Sequence, residues 1–549
     1  MPDYYDLGRY ARDVTTTSAE AQLWFNRGLI WCYGYNHDEA VRCFRKSAEC
    51  DPRCAMAQWG IAYASGPNYN KQWMAFDVAD LETSLNAAHT ATQKALGLLD
   101  HASPLEQALI RPLALRYPEN NPANVTPIWN DDYAAAMRAV YHSHPDDPDV
   151  AALFAEAIMN RTPWALWDGK TGQPAEGADT AEAIGVLEHA MAAEGGMNHP
   201  GVLHMYIHLM EMSPTPERAL PAADALRDLV PDAGHLIHMP THIDVLCGHY
   251  KAVVDDNARA TRADSKYLSR EGAINFYSLY RCHNLHFKIY GAMFMGRFAP
   301  ALEAAMEMAA SIPEELLRVK SPPMADWLES FVGMKMHVFI RFGKWEQIIA
   351  EPLPADPELF CVTTALLHYA KSVAHAVGFN VAAAEKHAQL FDEARLRVPE
   401  TRYLFNNTAL DILAVAAEMM RGEIEYRKMN FTEAFTHLRK SVELYDTMRY
   451  DEPWGWMQPT RHALGALLLE QKCVEEAAAV YRADLGLDDS LNRSCQHPDN
   501  IWSLHGYHEC LVKLGRTEEA KFIRQRLDMA VARADVPVKS SCLCRVHQA

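Results

Sequence analysis

A short turn recurs along this chain at nearly constant intervals, and each copy separates two stretches with helical periodicity. The first three copies begin 48 and 47 residues apart and the last three are separated by two steps of 43; they begin at Gly248, Gly296, Gly343, Met429, Lys472 and Gly515. Self-similarity at a fixed period of about 20 to 50 residues is the signature of a repeat array. Few segments alternate as strands do, so the sequence predicts an all-α solenoid of helical hairpins.

The first hairpin carries the tetratricopeptide pattern of large, small and aromatic residues, at Trp24, Gly28, Trp31, Ala40, Phe44 and Pro52. Small residues let two helices approach closely, aromatic rings fill the groove to the next hairpin, and proline ends the second helix. Four irregular, Pro- and Asn-rich stretches interrupt the array as loop insertions. We therefore expect a lead-in over 1–20, a single continuous solenoid over 21–530 with its active portion at about 150–290, and a flexible tail over 531–549.

Composition narrows the class of partner. The chain has 549 residues, 49% of them hydrophobic, and a net charge of −19, which disfavours nucleic acid and anionic membranes as partners. No apolar run approaches the length of a membrane span. The N-terminus has neither a basic region nor an apolar core, so we expect no secretory signal and a cytoplasmic protein with mostly reduced cysteines. A homo-oligomer remains open.

Nine of the 25 histidines fall between His199 and His286. The first two sets each contain a pair at i,i+4, the step that places two side chains on one face of a helix. The pairs considered as ligands are His204 and His208, His238 and His242, and His283 and His286. Stacked hairpins bring helices some 40 residues apart together, so these six imidazoles are predicted to share one metal site.

Other polar residues near these histidines are assigned proton transfer or outer-shell roles: Glu211, Glu156, His199 and His235. Glu211 extends the helical stripe of the first set, whereas His199 and His235 lie at predicted turns beside the ligands. Neither H-E-x-x-H nor C-x-x-C spacing occurs, so no named zinc motif applies.

Imidazole suits copper, zinc, iron and nickel, and the excess of histidines over carboxylates favours copper, with zinc or iron open. A copper or iron ion would imply an oxidoreductase that uses dioxygen on a small, amino-acid-derived molecule. Zinc at the same residues would imply a hydrolase or lyase. A third alternative is a non-enzymatic adaptor that binds a peptide or protein on its concave face.

A substrate pocket is predicted beside the metal. Its aromatic walls and a guanidinium for a substrate carboxylate would come from Trp164, Trp167, Tyr206, Tyr280 and Arg161. The alternative for the aromatic residues is packing between repeats.

Several segments resemble one family. They are N-H-P-G-V-L-H-M-Y-I-H from Asn198, G-H-L-I-H-M-P-T-H-I from Gly234 and H-N-L-H-F from His283, together with the stretch from Phe44 to Asn70. They are similar to large tetratricopeptide-repeat proteins of bacteria and filamentous fungi. The resemblance spans about residues 20 to 525 and implies the solenoid fold. It does not imply a particular reaction. Ordinary tetratricopeptide scaffolds need no buried histidine sets, which is why an enzyme is favoured.

Overall fold

The computed structural model describes residues 4–545, whose regular secondary structure is almost entirely helical. The first α-helices are α1 (Ala19–Tyr33), α2 (His37–Cys50), α3 (Ala55–Ser65), α4 (Val78–Gly97), α5 (Pro104–Ile110), α6 (Leu113–Arg116), α7 (Ile128–Ser143), α8 (Pro148–Met159), α9 (Thr180–Ala192), α10 (Pro200–Glu211), α11 (Leu220–Leu226), α12 (Gly234–His238), α13 (Pro240–Leu246) and α14 (Tyr250–Glu271).

The remaining α-helices are α15 (Ser278–Phe294), α16 (Phe298–Ala310), α17 (Glu314–Leu317), α18 (Met324–Val332), α19 (Met334–Arg341), α20 (Trp345–Ala350), α21 (Cys361–Val377), α22 (Val381–Arg395), α23 (Ala409–Arg427), α24 (Phe431–Asp446), α25 (Thr460–Glu470), α26 (Val474–Asp484), α27 (Ile501–Lys513) and α28 (Thr517–Val531). Short 3-10 helices cover Trp73–Ala75, Leu99–His101, Pro122–Asn124, Gly196–Asn198, Pro216–Ala219 and Arg493–Cys495. One two-residue antiparallel pair joins β1 (Tyr403–Leu404) to β2 (Asn407–Thr408).

The six predicted turns are all present, and each places its first residue in the left-handed region, with φ between 61° and 76°. In each, the next residue's amide donates to the carbonyl five positions earlier, as Lys344 N does to Phe339 O at 2.8 Å. This is the Schellman closure of a helix C-terminus, which favours glycine. Tyr35 and Phe379 occupy the same position in two further turns despite their side chains. The all-α fold of helical hairpins is confirmed.

The contacts divide the chain into two compact units, where the sequence predicted one continuous array. The first comprises the residues up to Ile243 together with Arg259–Arg270; the second comprises Asp244–Ala258 and the residues from Glu271 onward. In each unit, helices adjacent in sequence pack side by side, as α1, α2, α3 and α4 do in the first and α25, α26 and α27 in the second.

Glycines allow helices of the first unit to pack closely against aromatic rings. A Cβ on Gly28 or on Gly60 would lie 2.7 or 2.4 Å from the ring of Phe44, so both helices close on that ring. A Cβ on Gly201 of α10 would lie 2.6 Å from the ring of Tyr33 on α1. The close helix approach expected at Gly28 is therefore present, and α10 packs directly against α1.

A buried carboxylate organises the end of the second unit. Asp484 accepts hydrogen bonds from Asn500 (2.9 Å) and Ser503 (2.6 Å) and contacts His462 (3.0 Å) and His497 (2.8 Å). Burial opposes its ionisation, yet the charges and hydrogen bonds of the two histidines hold its pKa well below the usual range. This network is satisfied at each of these contacts, so we interpret it as a structural element.

The segment after α28 differs from the predicted flexible tail. Ser541 is buried and donates to the carbonyl of His462 at 2.9 Å, while Arg545 pairs with both oxygens of Glu509 at 2.8 and 3.0 Å. Cys542 and Cys544 are joined by a disulfide, and the other ten cysteines are free thiols. Residues 546–549 of the predicted tail lie outside the described part of the chain.

Among the described residues, every helix is too short or too polar to pass through a lipid bilayer.

Candidate metal centre

Helix α10 delivers the first histidine set. Pro200 occupies its first position, and His199 caps it by accepting the amide of Val202 at Nδ1 (3.1 Å). Each residue of the helix is buried, so its polar stripe of His204, His208 and Glu211 faces protein on all sides. Buried polar groups need partners, and the partners of this stripe define the site.

Each imidazole of α10 is held through its Nδ1 atom. His204 Nδ1 contacts the carbonyl of Tyr33 at 2.6 Å, and His208 Nδ1 contacts Glu211 Oε1 at 2.7 Å. A carbonyl can only accept, so His204 carries its proton on Nδ1 and presents a lone pair at Nε2. The Nε2 atoms of both residues are buried without a hydrogen-bond partner. Two imidazole lone pairs are thus presented to one small volume.

Glu211 joins this set to the next one. Its second oxygen, Oε2, contacts Nδ1 of His242 on α13. The carboxylate is 1% exposed, and its only ionic partners in the described part of the chain are His208 and His242. Each oxygen of Glu211 therefore faces Nδ1 of one imidazole, and the Nε2 atoms of both rings point away from it.

The short helix α12 and the start of α13 supply the second set. His235 and His238 lie in α12, and Pro240 begins α13, which carries His242. Nε2 of His238 and Nε2 of His242 are 2.8 Å apart. Pro240 thus separates two helices, and His235, predicted to lie at a turn, lies in the short helix α12 instead.

One donor group in the first unit has the composition of a metal site. His204, His208 and His235 each offer a nitrogen, and the three atoms lie within 4.8 Å of one another. An ion bound at about 2.0 to 2.1 Å in tetrahedral geometry needs nitrogens about 3.3 Å apart, so the ligands would draw together by up to about 1.5 Å. Rotation of the side chains can supply that movement. His235, predicted as a proton-transfer group, therefore lies among the donors.

Three aromatic rings enclose these imidazoles. The ring of Tyr35 lies 4.6 Å from that of His204, and the rings of Tyr69 and Trp164 lie 5.0 and 5.6 Å from that of His208. Tyr35 and Tyr69 are buried and Trp164 is half-buried. Tyr35 and Trp164 both have positive φ, 54° and 57°. Trp164, predicted as part of an aromatic wall, thus lies beside His208 together with Tyr69, and Tyr35 lies beside His204.

Burial keeps the imidazoles neutral. Desolvation lowers the pKa of His208 to about 3 and, with the charge of His208, lowers the pKa of His204 well below its ordinary value. Desolvation raises the pKa of Glu211 well above the usual range. Neutral imidazole is the form that binds metal ions, and a cation at Nε2 would in turn favour ionised Glu211.

Two predicted catalytic residues lie outside this cluster. Besides capping α10, His199 contacts Asp149 Oδ1 at 3.1 Å through Nε2, so both of its nitrogens are engaged. Glu156 accepts the hydroxyl of Tyr63 and lies near the guanidinium of Arg116. Burial raises the pKa of Glu156. The structure thus places the side chains of His199 and Glu156 in contacts with other helices, apart from the imidazole cluster.

Three predicted substrate residues are also committed elsewhere. Arg161 pairs with Asp131 (2.7 Å) and Asp179, so its charge is already balanced by two carboxylates. Trp167 donates to the carbonyl of Leu209 at 2.7 Å, and Tyr206 donates to Glu188 at 2.7 Å. These contacts tie α10 to its neighbours and favour the packing alternative for both aromatic residues.

The third histidine set belongs to the second unit. His283 and His286 lie on α15, where the ring of His283 contacts Phe405 at 4.6 Å and that of His286 contacts Phe331 at 5.4 Å. Tyr280, on the same helix, stacks on Tyr277 at 5.6 Å. Both nitrogens of His286 are buried without a hydrogen-bond partner. Within the second unit His283 and His286 are therefore surrounded by aromatic rings.

His337 in α19 of the second unit gives a pH prediction. Its burial lowers its pKa to about 3. Between pH 6.5 and 3 the unfolded chain binds a proton there that the native chain does not, so stability falls as the pH drops. We expect the free energy of unfolding of wild type to fall between pH 7 and pH 5, and that of His337→Gln to fall by about 2 kcal/mol less. Urea titrations at the two pH values measure both. The exposed His142→Gln serves as control, and equal losses for His337→Gln and wild type would contradict the assignment.

Comparisons with known proteins add little to this geometry. No family model and no curated protein matches the chain. Among solved structures it is similar to Naa15 in the Naa15/Naa10–HypK complex (12% identity, 93% of this chain and 65% of that one, TM-score 0.21). It is also similar to yeast Tom70 (10%, 93% of each, 0.26) and to the TPR domain of P58(IPK) (13%, 77% and 99%, 0.17). At these TM-scores the likeness carries no argument, so fold and site rest on the chain's own contacts.

Proposed function

We propose that this chain is a metal-dependent enzyme whose first unit binds a transition-metal ion through His204, His208 and His235. The observation that carries the proposal is the orientation of the imidazoles of α10. Metal-bound histidines typically donate their other N–H to a carbonyl or a carboxylate. His204 meets a carbonyl in this way and His208 meets the carboxylate of Glu211, and both leave Nε2 buried without a partner.

The charge balance of the cluster also supports a cation. A carboxylate that is 1% exposed and meets only imidazoles is costly to ionise, as the raised pKa of Glu211 reflects. A metal ion bound at Nε2 of His208 would offset that cost, because its positive charge would stabilise the carboxylate on the other side of the imidazole ring. Glu211 would then orient two ligands and make both more basic.

The surrounding residues fit a small substrate that reacts away from bulk water. Tyr35 and Tyr69 are buried and exclude solvent, and half-buried Trp164 offers an aromatic wall. Arg161 is paired to acidic residues, so we do not assign it to the carboxylate of an amino-acid-derived substrate. We therefore limit the substrate proposal to a small, largely apolar molecule.

Copper is the favoured metal, because the three proposed donors are all imidazole nitrogens and Glu211 is engaged by two imidazoles. Bound copper would supply dioxygen binding and electron transfer, whereas zinc would supply an activated water. We accordingly favour an oxidoreductase that uses dioxygen and keep the zinc hydrolase or lyase as the alternative. The helical-hairpin fold itself also favours a second candidate, an adaptor that binds a peptide or protein.

Elemental analysis of the purified full chain tests the proposal. We expect at least one equivalent of a transition metal per chain, lost in His204→Ala and His208→Ala. Because either variant removes a buried side chain, circular dichroism spectra must match the wild type for the loss to count. His189→Ala, which removes a half-exposed histidine of the first unit, should retain the metal. A metal-free wild type after reconstitution with copper, zinc and iron would refute the enzyme proposal and favour the adaptor.

A further inference from the structure

We propose that His238 and His242 hold a second transition-metal ion, beside the ion proposed at His204, His208 and His235. The inference rests on the proposed function and extends it from one ion to two. The two residues lie four positions apart, are 0% and 1% exposed, and turn their Nε2 atoms toward each other at 2.8 Å.

The proton positions favour a cation between these nitrogens. Oε2 of Glu211 lies against Nδ1 of His242, and a proton that Nδ1 donates to this oxygen leaves a lone pair at Nε2. Thr241 donates its hydroxyl to the carbonyl of His238 (2.7 Å), so its oxygen is available to accept from His238 Nδ1, 3.5 Å away. If both Nδ1 atoms carry the protons, two lone pairs face each other, and only a positive charge makes that contact favourable.

The distance also fits a particular coordination geometry. Two nitrogens 2.8 Å apart and each about 2.0 to 2.1 Å from an ion subtend an angle of about 90° at that ion. This is the angle between adjacent ligands in a square-planar or octahedral site, which copper(II) adopts, and it is narrow for tetrahedral zinc. The pair would supply two adjacent ligands and leave the other positions to water, dioxygen or substrate.

Glu211 and ring contacts connect the two proposed ions. The carboxylate holds His208 of the first set through one oxygen and His242 of the second through the other. The rings of His208 and His242 are 5.9 Å apart, and those of His235 and His238 are 5.7 Å apart. Two ions bound at these residues would therefore be close enough to act on the same small molecule.

The test uses the full chain, stripped of metal and titrated with copper(II). We expect two equivalents per chain in wild type, and one in both His238→Ala and His204→Ala. His238 is the better choice than His242 because it does not contact Glu211. Electron paramagnetic resonance of the doubly loaded wild type should show coupling between the two copper ions, a readout that requires no variant.

The titration distinguishes failure of the second ion from failure of the proposed function. One equivalent in wild type that His204→Ala loses and His238→Ala keeps would overturn the second ion and leave the proposed function standing; the histidine pair then shares only a hydrogen bond. Two uncoupled copper ions, with both equivalents retained in His238→Ala, would also overturn it. No bound copper in wild type would overturn the second ion, whereas the proposed function would fall only if wild type bound neither zinc nor iron as well.

Discussion

Replacing Glu211 with glutamine is expected to weaken metal binding by about 10- to 100-fold, the usual cost of losing an outer-shell partner. The carboxylate accepts from Nδ1 of His208 and of His242 at the same time. A carboxamide offers one oxygen, so its NH2 group would face the N–H of the second imidazole. One ring must then change its tautomer or rotate, and its Nε2 lone pair is lost to the metal. Competition with a chelator of known affinity measures the effect.

A matched control separates this effect from a general response to losing a carboxylate. Glu217 is exposed and follows the same helix, so Glu217→Gln should leave the metal affinity unchanged. Glu211→Asp keeps the charge but shortens the side chain, and it should fall between wild type and Glu211→Gln. Equal metal affinity in Glu211→Gln and Glu217→Gln would show that Glu211 positions neither imidazole.

Substituting alanine for Gly201 is the second change with a large expected effect. The added Cβ would lie 2.6 Å from the ring of Tyr33, in the contact that holds α10 against α1. Overpacking of this kind costs about 1 to 3 kcal/mol. The backbone carbonyl of Tyr33 also accepts from His204, so displacing α10 should weaken metal binding together with stability. Urea unfolding and the chelator competition measure the two consequences.

The chain supplies a control of the same chemistry. Gly185 lies inside α9, and a Cβ there would meet no heavy atom within 4 Å. Gly185→Ala should therefore stabilise the protein by about 0.5 to 1 kcal/mol, because alanine favours helix more than glycine does. If Gly201→Ala were also stabilising and bound metal normally, the close approach of α10 to α1 would be wrong.

Much of the fold could be predicted because its turns carry a strong local signal. Gly248, Gly296 and Gly343 mark left-handed turn positions that glycine fills without strain, and the structure has each of them. The equivalent turns at Tyr35 and Phe379 were missed because they carry no glycine and lie outside the 43-residue spacing that marks the turns at Met429 and Lys472. The division into two units had no such marker, since it depends on contacts between residues distant in sequence.

The site was predictable where helical periodicity governs it. The i,i+4 spacing of His204 and His208 places them together, and Glu211 follows one turn later. The closeness of His199 to the ligands in sequence did not predict its contacts, since His199 caps α10. Tyr35 and Tyr69 were missed because a turn and a loop more than 100 residues upstream of α10 bring them there. No local pattern in a single sequence predicts such contacts.

The most direct test of the central claim is a crystal structure of the copper-loaded chain with anomalous data collected at the copper edge. The account predicts a peak at about 2.0 to 2.1 Å from Nε2 of both His204 and His208, with His235 completing the donor set. Glu211 should remain on the opposite side of the His208 ring. Well-ordered crystals with no anomalous peak at these nitrogens, or a peak only at surface histidines, would contradict it.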